Sequence, residues 1–187
     1  MIDKTDVERL SDRELLRKLG EERLFDIFFL QIRNLWRVDG LYFLGIEAKF
    51  GTEAATEIDA ECWKTMAILE AKSLRKLFQI EGNVDLTTLM FLLRNTSWAL
   101  DHQENKEIEI TPTKAILRIV KCRTQEARLR KGLGEFPCKK VRYGYLKNFA
   151  QTLNPNIEVT CKVCPPDKHP PDIWCEWHFI PKKTSEQ

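Results

Sequence analysis

The spacing of apolar residues in the first half of the chain predicts a series of helices. Ser11 and Glu14 have the spacing of a capping box, and they predict a short helix that Gly20 ends. A long helix is predicted over residues 21–50, closed by Gly51. Because its apolar residues cover nearly the whole circumference, we expect this helix to be buried inside the domain.

Two further helices follow in the same pattern. One is predicted over 53–78 with Thr52 as its cap, and a shorter one over 85–93. The residues expected to face the core form an apolar stripe with smaller and aromatic residues beside it: Ile58, Cys62, Met66 and Leu69, then Ala55, Trp63 and Ala67. We therefore expect Cys62 to lie in the core.

The spacing of apolar residues changes in the second half of the chain, where short stretches that alternate apolar and polar residues, or are rich in β-branched residues, predict strands. These strands are predicted over 98–102, 107–110, 115–121, 157–163 and 173–180, and helices over 124–131 and 140–152. Helices followed by an antiparallel sheet favour an α+β fold, with the N-terminal helices packed on the sheet. We predict one domain over 1–187, with a helical part over 1–94, a sheet and metal-binding part over 95–181, and a frayed tail over 182–187.

Charge and hydropathy exclude several function classes. The 30 basic and 28 acidic residues nearly balance, so no basic surface favours nucleic acid. The most apolar stretch, residues 24–50, is interrupted by charged residues, so we expect no membrane-spanning helix. No signal peptide is apparent, and we expect a cytoplasmic protein. In that reducing compartment, six cysteines are better explained by metal binding than by disulfides.

Four cysteines near the C-terminus have the spacing of a metal site. Cys161 and Cys164 form a C-x2-C pair, Cys175 follows across a proline-rich loop, and Cys138 begins a predicted helix. Four thiolates in a tetrahedral array suit zinc, and a filled shell favours a structural site. An iron–sulfur cluster suits the same donors, His169 can replace one cysteine, and four buried cysteines without metal are the simplest alternative.

We call Cys138, Cys161, Cys164 and Cys175 the quartet. The quartet and the run from Trp174 to Phe179 resemble the C-terminal part of the vinyl-4-reductase-type small-molecule-binding domain. In that superfamily, the phenol-sensing domains of bacterial transcription activators have a similarly spaced zinc site, with a Glu at the position of Cys161. The resemblance implies that Cys138, Cys161, Cys164 and Cys175 are the ligands, and that an aromatic-lined pocket lies above the sheet.

A second resemblance covers roughly residues 20–180. It is carried by Asp39 to Phe43, Glu47, Phe50-Gly51, Lys121 to Ala127, Gly132 and Cys164 to Pro166. These residues are similar to a bacterial family of small "cytosolic proteins", which is itself similar to the aminothiazoline-carboxylate hydrolases. This resemblance implies either a binding module or an enzyme that opens a sulfur heterocycle.

Aromatic and polar residues of the two halves are the predicted ligand pocket: Trp36, Asp39, Tyr42, Phe43, Trp63, Trp98 and His102. A carboxylate beside aromatic rings, such as Asp39, can have a raised pKa and act as an acid or base. Glu47 and Asp59 are further candidates, and the alternative for these carboxylates is a salt bridge to Arg33, Arg37 or Lys64, or simple exposure. An ordinary aromatic core is the alternative explanation for the rings.

Cys122 stands apart from the quartet and is the candidate nucleophile, with Arg123 or His102 to activate it. A buried, inert cysteine is the alternative. The leading hypothesis is a domain that binds a small, largely apolar or aromatic molecule and contains a structural zinc ion. A hydrolase of a sulfur or nitrogen heterocycle is the second hypothesis, and a dimerisation domain, consistent with a homodimer, is the third.

Overall fold

A computed structural model describes residues 2–182. The predicted tail lies outside the described residues, apart from Lys182. The chain divides into two compact units, Met1–Asp39 and Gly40–Gln187. The single-domain organisation stays a prediction.

The first unit contains α1 (Lys4–Arg9), α2 (Asp12–Lys18) and the beginning of α3 (Glu21–Leu77). The predicted capping box is confirmed, because the Ser11 amide donates to the Glu14 carboxylate at 2.9 Å. Asp3 caps α1. The apolar pattern did not predict this helix, because none of the residues of α1 is buried.

Gly51 interrupts α3 with a non-helical conformation (φ 83°, ψ 166°). A positive φ of this size is readily adopted only by glycine, so the residue places a kink where the sequence predicted one helix to end. The helical run resumes directly after the kink and continues to Leu77.

The expected burial of residues 21–50 is wrong. Within this stretch only Phe43 is buried, and large apolar side chains are exposed along its length: Leu24, Phe25, Phe28, Leu30, Leu35, Val38, Leu41, Tyr42 and Phe50. An all-round apolar helix is buried only if neighbours surround it, and within residues 2–182 these side chains are not surrounded.

The expected core-facing set of the following helix is confirmed only in part. Ala55, Trp63 and Ala67 are buried as expected, whereas Ile58 and Leu69 are about half exposed and Cys62 is exposed. Two further small residues, Ala60 and Ala71, complete the buried face around the Trp63 ring. Small side chains let α3 approach its neighbour closely, which hydrophobicity alone does not indicate.

Two short helices precede the sheet, α4 (Leu86–Arg94) and α5 (Ser97–His102). The first confirms the prediction, with Asp85 as its cap. The second corrects one, because residues 98–102 were expected to form a strand. The Thr96 side chain accepts a hydrogen bond from the Ala99 amide, and this N-cap starts a helical turn.

A four-stranded antiparallel sheet follows, with the strand order β1-β2-β4-β3. Its strands are β1 (Lys106–Ile110), β2 (Ala115–Ile119), β3 (Ile157–Val163) and β4 (Cys175–Pro181). Two helices lie between β2 and β3 in the chain, α6 (Arg123–Arg130) and α7 (Cys138–Leu153). The α+β fold with an antiparallel sheet is confirmed.

The core lies between α7, α3 and one face of the sheet. Val159 of β3, Phe179 of β4 and Ala115 of β2 are register partners, so their side chains share the buried face. Gly144 of α7 packs against α3, since a Cβ there would lie 3.0 Å from a side-chain carbon of Lys64. Among residues 2–182, the helices are too short or too polar to cross a membrane.

Candidate metal centre

The four predicted ligands come from three segments of the second unit. Cys138 is the first residue of α7, Cys161 lies near the end of β3, Cys164 follows that strand, and Cys175 is the first residue of β4. A β-bulge lies between Cys161 and Val163. A bulge redirects side chains locally, which suits a strand end that must turn toward a helix.

Backbone hydrogen bonds fix these segments relative to one another. The Lys139 amide donates to the Pro165 carbonyl at 2.8 Å, which ties the start of α7 to the loop after β3. The Asp167 amide donates to the Cys164 carbonyl at 3.1 Å, so that loop begins with a turn. The positions of the cysteines are therefore set by main-chain contacts.

The four thiols converge. The Cys164 side chain is within hydrogen-bonding contact of the side chains of Cys138, Cys161 and Cys175. Cys164 and Cys175 are buried, whereas Cys138 and Cys161 are partly exposed. The shared hydrogen bonds raise the pKa of Cys164, lower that of Cys161, and lower the pKa of Cys138 to about 7.

A metal ion is not established by this convergence. In the part of the chain that the structure describes, no group of three or more His, Cys, Asp or Glu side chains stands in a geometry that could hold an ion. The chemistry of the residues nevertheless suits a soft or borderline cation, because all four candidate donors are cysteine sulfurs and Cys164 contacts each of the other three.

Arg142 supplies a buried positive charge beside the quartet. It is 3% exposed, and its side chain is hydrogen-bonded to Cys138. The guanidinium lies over the rings of Trp98, Tyr145 and Trp63, with centroid distances of 4.7, 5.0 and 5.5 Å. A buried cation favours a nearby negative charge. This residue was not predicted, although it lies four residues after Cys138, on the same helix face.

A model of one protein family covers nearly all of the chain, from residue 17 to residue 181. The chain belongs to DUF6125, a family of unknown function. The DUF6125 match includes the four cysteines and Arg142. No curated protein and no solved structure matches the chain. The resemblance to the vinyl-4-reductase-type domain and to the hydrolases stays a prediction.

Three of the predicted pocket residues of this DUF6125 chain come together in the second unit. Trp98 contacts His102 edge to face, with centroids 5.2 Å apart. Trp63 and Trp98 both contact the ring of Tyr145, at 5.8 and 6.4 Å. All of these side chains are buried around Arg142. Tyr145 and Arg142 are further members of this buried aromatic cluster, and a ligand pocket at this place stays a prediction.

The other predicted pocket residues lie elsewhere. Trp36 and Asp39 are partly buried and belong to the first compact unit. Tyr42 is exposed, whereas Phe43 is buried against Phe136 at a centroid distance of 4.9 Å. A common pocket for all seven residues stays a prediction.

Glu47 has a structural partner. Arg128 donates two hydrogen bonds to its carboxylate, at 2.8 and 2.9 Å, and both side chains are largely buried. The hydrogen bonds from Arg128 hold the pKa of Glu47 below its usual value. Glu47 therefore forms a salt bridge, but its partner is Arg128 rather than the expected Arg33, Arg37 or Lys64. Arg128 lies 81 residues away, beyond the reach of spacing arguments.

Cys122, the candidate nucleophile, precedes α6 as its N-cap residue. Burial raises the pKa of this thiol to about 12, and the charges of Cys138 and Cys175 act in the same direction. Burial and the charge of Arg142 lower the pKa of His102 to about 4. A thiol with a raised pKa holds its proton more firmly, and an imidazole with a lowered pKa accepts one less readily. Both shifts therefore oppose proton transfer from Cys122 to His102. Arg123, the other expected activator, pairs with Asp101 at 2.9 Å.

Proposed function

We propose that this chain is a small-molecule-binding domain whose sheet and last helix are held together by a structural zinc ion. The observation that supports the metal is the contact of the Cys164 thiol with the other three thiols of the quartet. The ligands of the proposed ion are Cys138, Cys161, Cys164 and Cys175.

The chemistry of the donors favours zinc. A set of sulfur ligands selects soft or borderline cations over magnesium or calcium, and four of them complete a tetrahedral shell. Zinc with four thiolates has a net negative charge, which the buried Arg142 guanidinium beside Cys138 offsets. An iron–sulfur cluster uses the same ligand set and is distinguished by its colour.

The role of the ion is structural in this proposal. The four ligands leave no open coordination position for a substrate or water. Binding would join the loop after β3 and the start of β4 to the N-terminus of α7, and would contribute directly to folding.

The small-molecule part of the proposal rests on the resemblance to the vinyl-4-reductase-type domain and on the cluster of Trp63, Trp98, Tyr145 and Arg142. Aromatic faces around a fixed guanidinium suit a flat aromatic ligand with a polar substituent. The hydrolase alternative is weaker, because the pKa shifts of Cys122 and His102 oppose formation of a thiolate.

Metal analysis tests the zinc site. We expect protein purified without oxygen to be colourless and to contain one zinc ion per chain, and Cys161→Ser to lose it. Cys62→Ser is the matched control, because Cys62 is exposed on α3, and it should retain the metal. A brown chromophore would indicate an iron–sulfur cluster in place of zinc. Metal-free protein in every preparation would refute the metal site.

Titration with phenol tests the binding function. We expect saturable quenching of tryptophan fluorescence and a higher melting temperature, since a ligand that binds only the folded state stabilises it. Trp98→Leu should abolish both effects, whereas Cys122→Ser should leave them unchanged. Loss of binding in Cys122→Ser would favour the hydrolase hypothesis, and unsaturable quenching would count against a phenol site.

A further inference from the structure

Gln125 is a polar residue of α6 with almost no contact with solvent. It is 1% exposed and belongs to the run from Lys121 to Ala127 that carries the second sequence resemblance. The proposed function assigns no role to this side chain. A buried side-chain amide has donors and an acceptor to satisfy, so its partners show what it holds in place.

Both ends of the Gln125 amide bond to the backbone of one residue, Phe136. The Gln125 Nε2 atom donates to the Phe136 carbonyl at 2.9 Å, and the Phe136 amide donates to the Gln125 Oε1 atom at 2.7 Å. Two residues on neighbouring antiparallel strands exchange hydrogen bonds in the same way. Here a side chain takes the place of the second strand, so the Phe136 backbone is fixed against α6.

The Phe136 carbonyl also holds the backbone of Cys138. The Cys138 amide donates to this carbonyl at 2.7 Å. Pro137, between them, has φ −75° and ψ 61°, which is the conformation of an inverse γ-turn. Gln125 and Cys138 therefore share one acceptor atom. Because the proline ring restricts φ at the one intervening residue, a shift of Phe136 would also move Cys138.

Cys138 depends on such support more than the quartet members in the sheet do. Cys161 and Cys175 lie in paired strands, whose ladders fix their backbones. Cys138 lies in the first turn of α7, where backbone amides have no acceptor within the helix. The loop before it contains Gly132 and Gly134 at positive φ (68° and 71°), and glycine loses the most conformational freedom on ordering.

We infer that Gln125 is a positioning residue of the proposed zinc site, which holds Cys138 in place through the shared Phe136 carbonyl. The inference rests on the proposed function, since it requires the ion, but it concerns a residue that is not itself a ligand. A ligand that is already in place loses less conformational entropy when the metal binds, so Gln125 increases the affinity for zinc.

Asn154 supplies a matched control at the other end of α7. Its side-chain amide also makes two bonds to the backbone: Nδ2 donates to the Val84 carbonyl at 2.8 Å, and Oδ1 accepts from the Asn156 amide at 2.9 Å. Asn154 lies sixteen residues after Cys138, about 24 Å along the helix. Loss of this amide should therefore destabilise the fold without affecting the quartet.

Competition with a chromophoric zinc chelator measures the affinity in the full chain. Gln125→Met should bind zinc about ten- to a hundredfold more weakly than the wild type, because methionine has a similar shape but lacks the amide. Asn154→Leu should retain the wild-type affinity. Wild-type affinity in Gln125→Met, or equal weakening in the two variants, would overturn the inference and leave the zinc site standing. A wild type that binds no zinc would refute both.

Alkylation of zinc-saturated protein with iodoacetamide identifies the ligand that is affected. Peptide mass spectrometry should show faster modification of Cys138 in Gln125→Met than in the wild type, with unchanged rates at the other three quartet cysteines. A general weakening of the fold would expose all four cysteines alike. Equal acceleration at all four, or none at Cys138, would overturn the inference.

A second variant keeps both measurements informative if Gln125→Met does not fold. Gln125→Asn retains the amide on a side chain that is one methylene shorter, so it cannot make both bonds to Phe136. It should show weaker zinc binding and faster alkylation of Cys138, each to a smaller extent. Wild-type behaviour of Gln125→Asn in both measurements would overturn the inference.

Discussion

Helix α7 and residues 21–50 of α3 are both rich in aromatic and aliphatic residues, but the chain covers them very differently. Eight of the sixteen residues of α7 are buried, whereas Phe43 alone is buried in the described α3 stretch. The comparison shows that apolar content does not determine burial. An element is buried when another layer with a matching face lies against it, as β3 and β4 lie against α7.

Removal of the proposed zinc ion is expected to have the largest effect of the changes considered, and to affect α7 but not the N-terminal part of α3. A structural zinc ion contributes about 10–16 kcal/mol of binding free energy, so chelation should open the region around the quartet. The near-ultraviolet dichroism of Trp177, buried in β4, should disappear and hydrogen exchange in α7 should rise. Exchange over residues 4–39 should stay unchanged. An equal loss of hydrogen-exchange protection in both regions would show that the metal stabilises more of the chain than the second unit.

Truncating one phenylalanine in each region compares them directly. Phe149→Ala in α7 should lower the free energy of unfolding by about 4 kcal/mol, because the side chain is fully buried and leaves a cavity. Phe28→Ala should cost less than about 1 kcal/mol in dilute, monomeric protein, because 43% of its surface is already exposed. Urea unfolding followed by far-ultraviolet dichroism measures both. Similar costs would mean that residues 21–50 are covered in solution.

The Glu47–Arg128 pair predicts a pH dependence. Its lowered pKa means that the ionised Glu47 carboxylate stabilises the fold above the pKa of the unfolded chain, near 4.5. That contribution is lost as the pH falls through the lower folded-state pKa. Glu47→Gln should cost about 3 kcal/mol at pH 7, because Arg128 stays buried, and less in acid. Glu57→Gln, which alters the exposed pair with Lys140, is the control and should change stability by less than about 0.5 kcal/mol.

Removing a helix cap should have the smallest effect. Asp85 accepts a hydrogen bond from the Thr88 amide at 2.7 Å, so Asp85→Ala should lower the free energy of unfolding by about 1 kcal/mol. Asp85→Asn should retain most of this stability, because asparagine caps a helix almost as well. Thermal melts of the three proteins are the measurement, and an equal loss in both variants would assign the effect to charge.

Local signals in the sequence were sufficient for much of the secondary structure. Ser11 and Glu14, Gly51 and Asp85 each acted through neighbouring backbone atoms, so their effects could be predicted without a fold. The short stretch 98–102 was predicted wrongly, because alternating residues favoured a strand while the Thr96 cap starts a helix. Cys161 and Cys164 were recognised as a pair for the same local reason, a short spacing on a strand end.

The contacts between distant segments required the tertiary structure. Ile58 and Cys62 are exposed while Ala67 and Ala71 are buried, and apolar spacing alone does not show which side of α3 meets other elements. Arg128 reaches Glu47, and Arg142 reaches Trp63 and Trp98, through packing that has no counterpart in residue spacing.

By itself, the sequence determined the α+β class, the break at Gly51 and the four cysteines as a group, because periodicity, backbone preference and spacing are local properties. The tertiary structure alone decided which apolar faces are covered, which charges are paired and where Cys122 lies relative to the quartet. Burial is a property of two surfaces in contact, and a one-dimensional pattern describes only one of them.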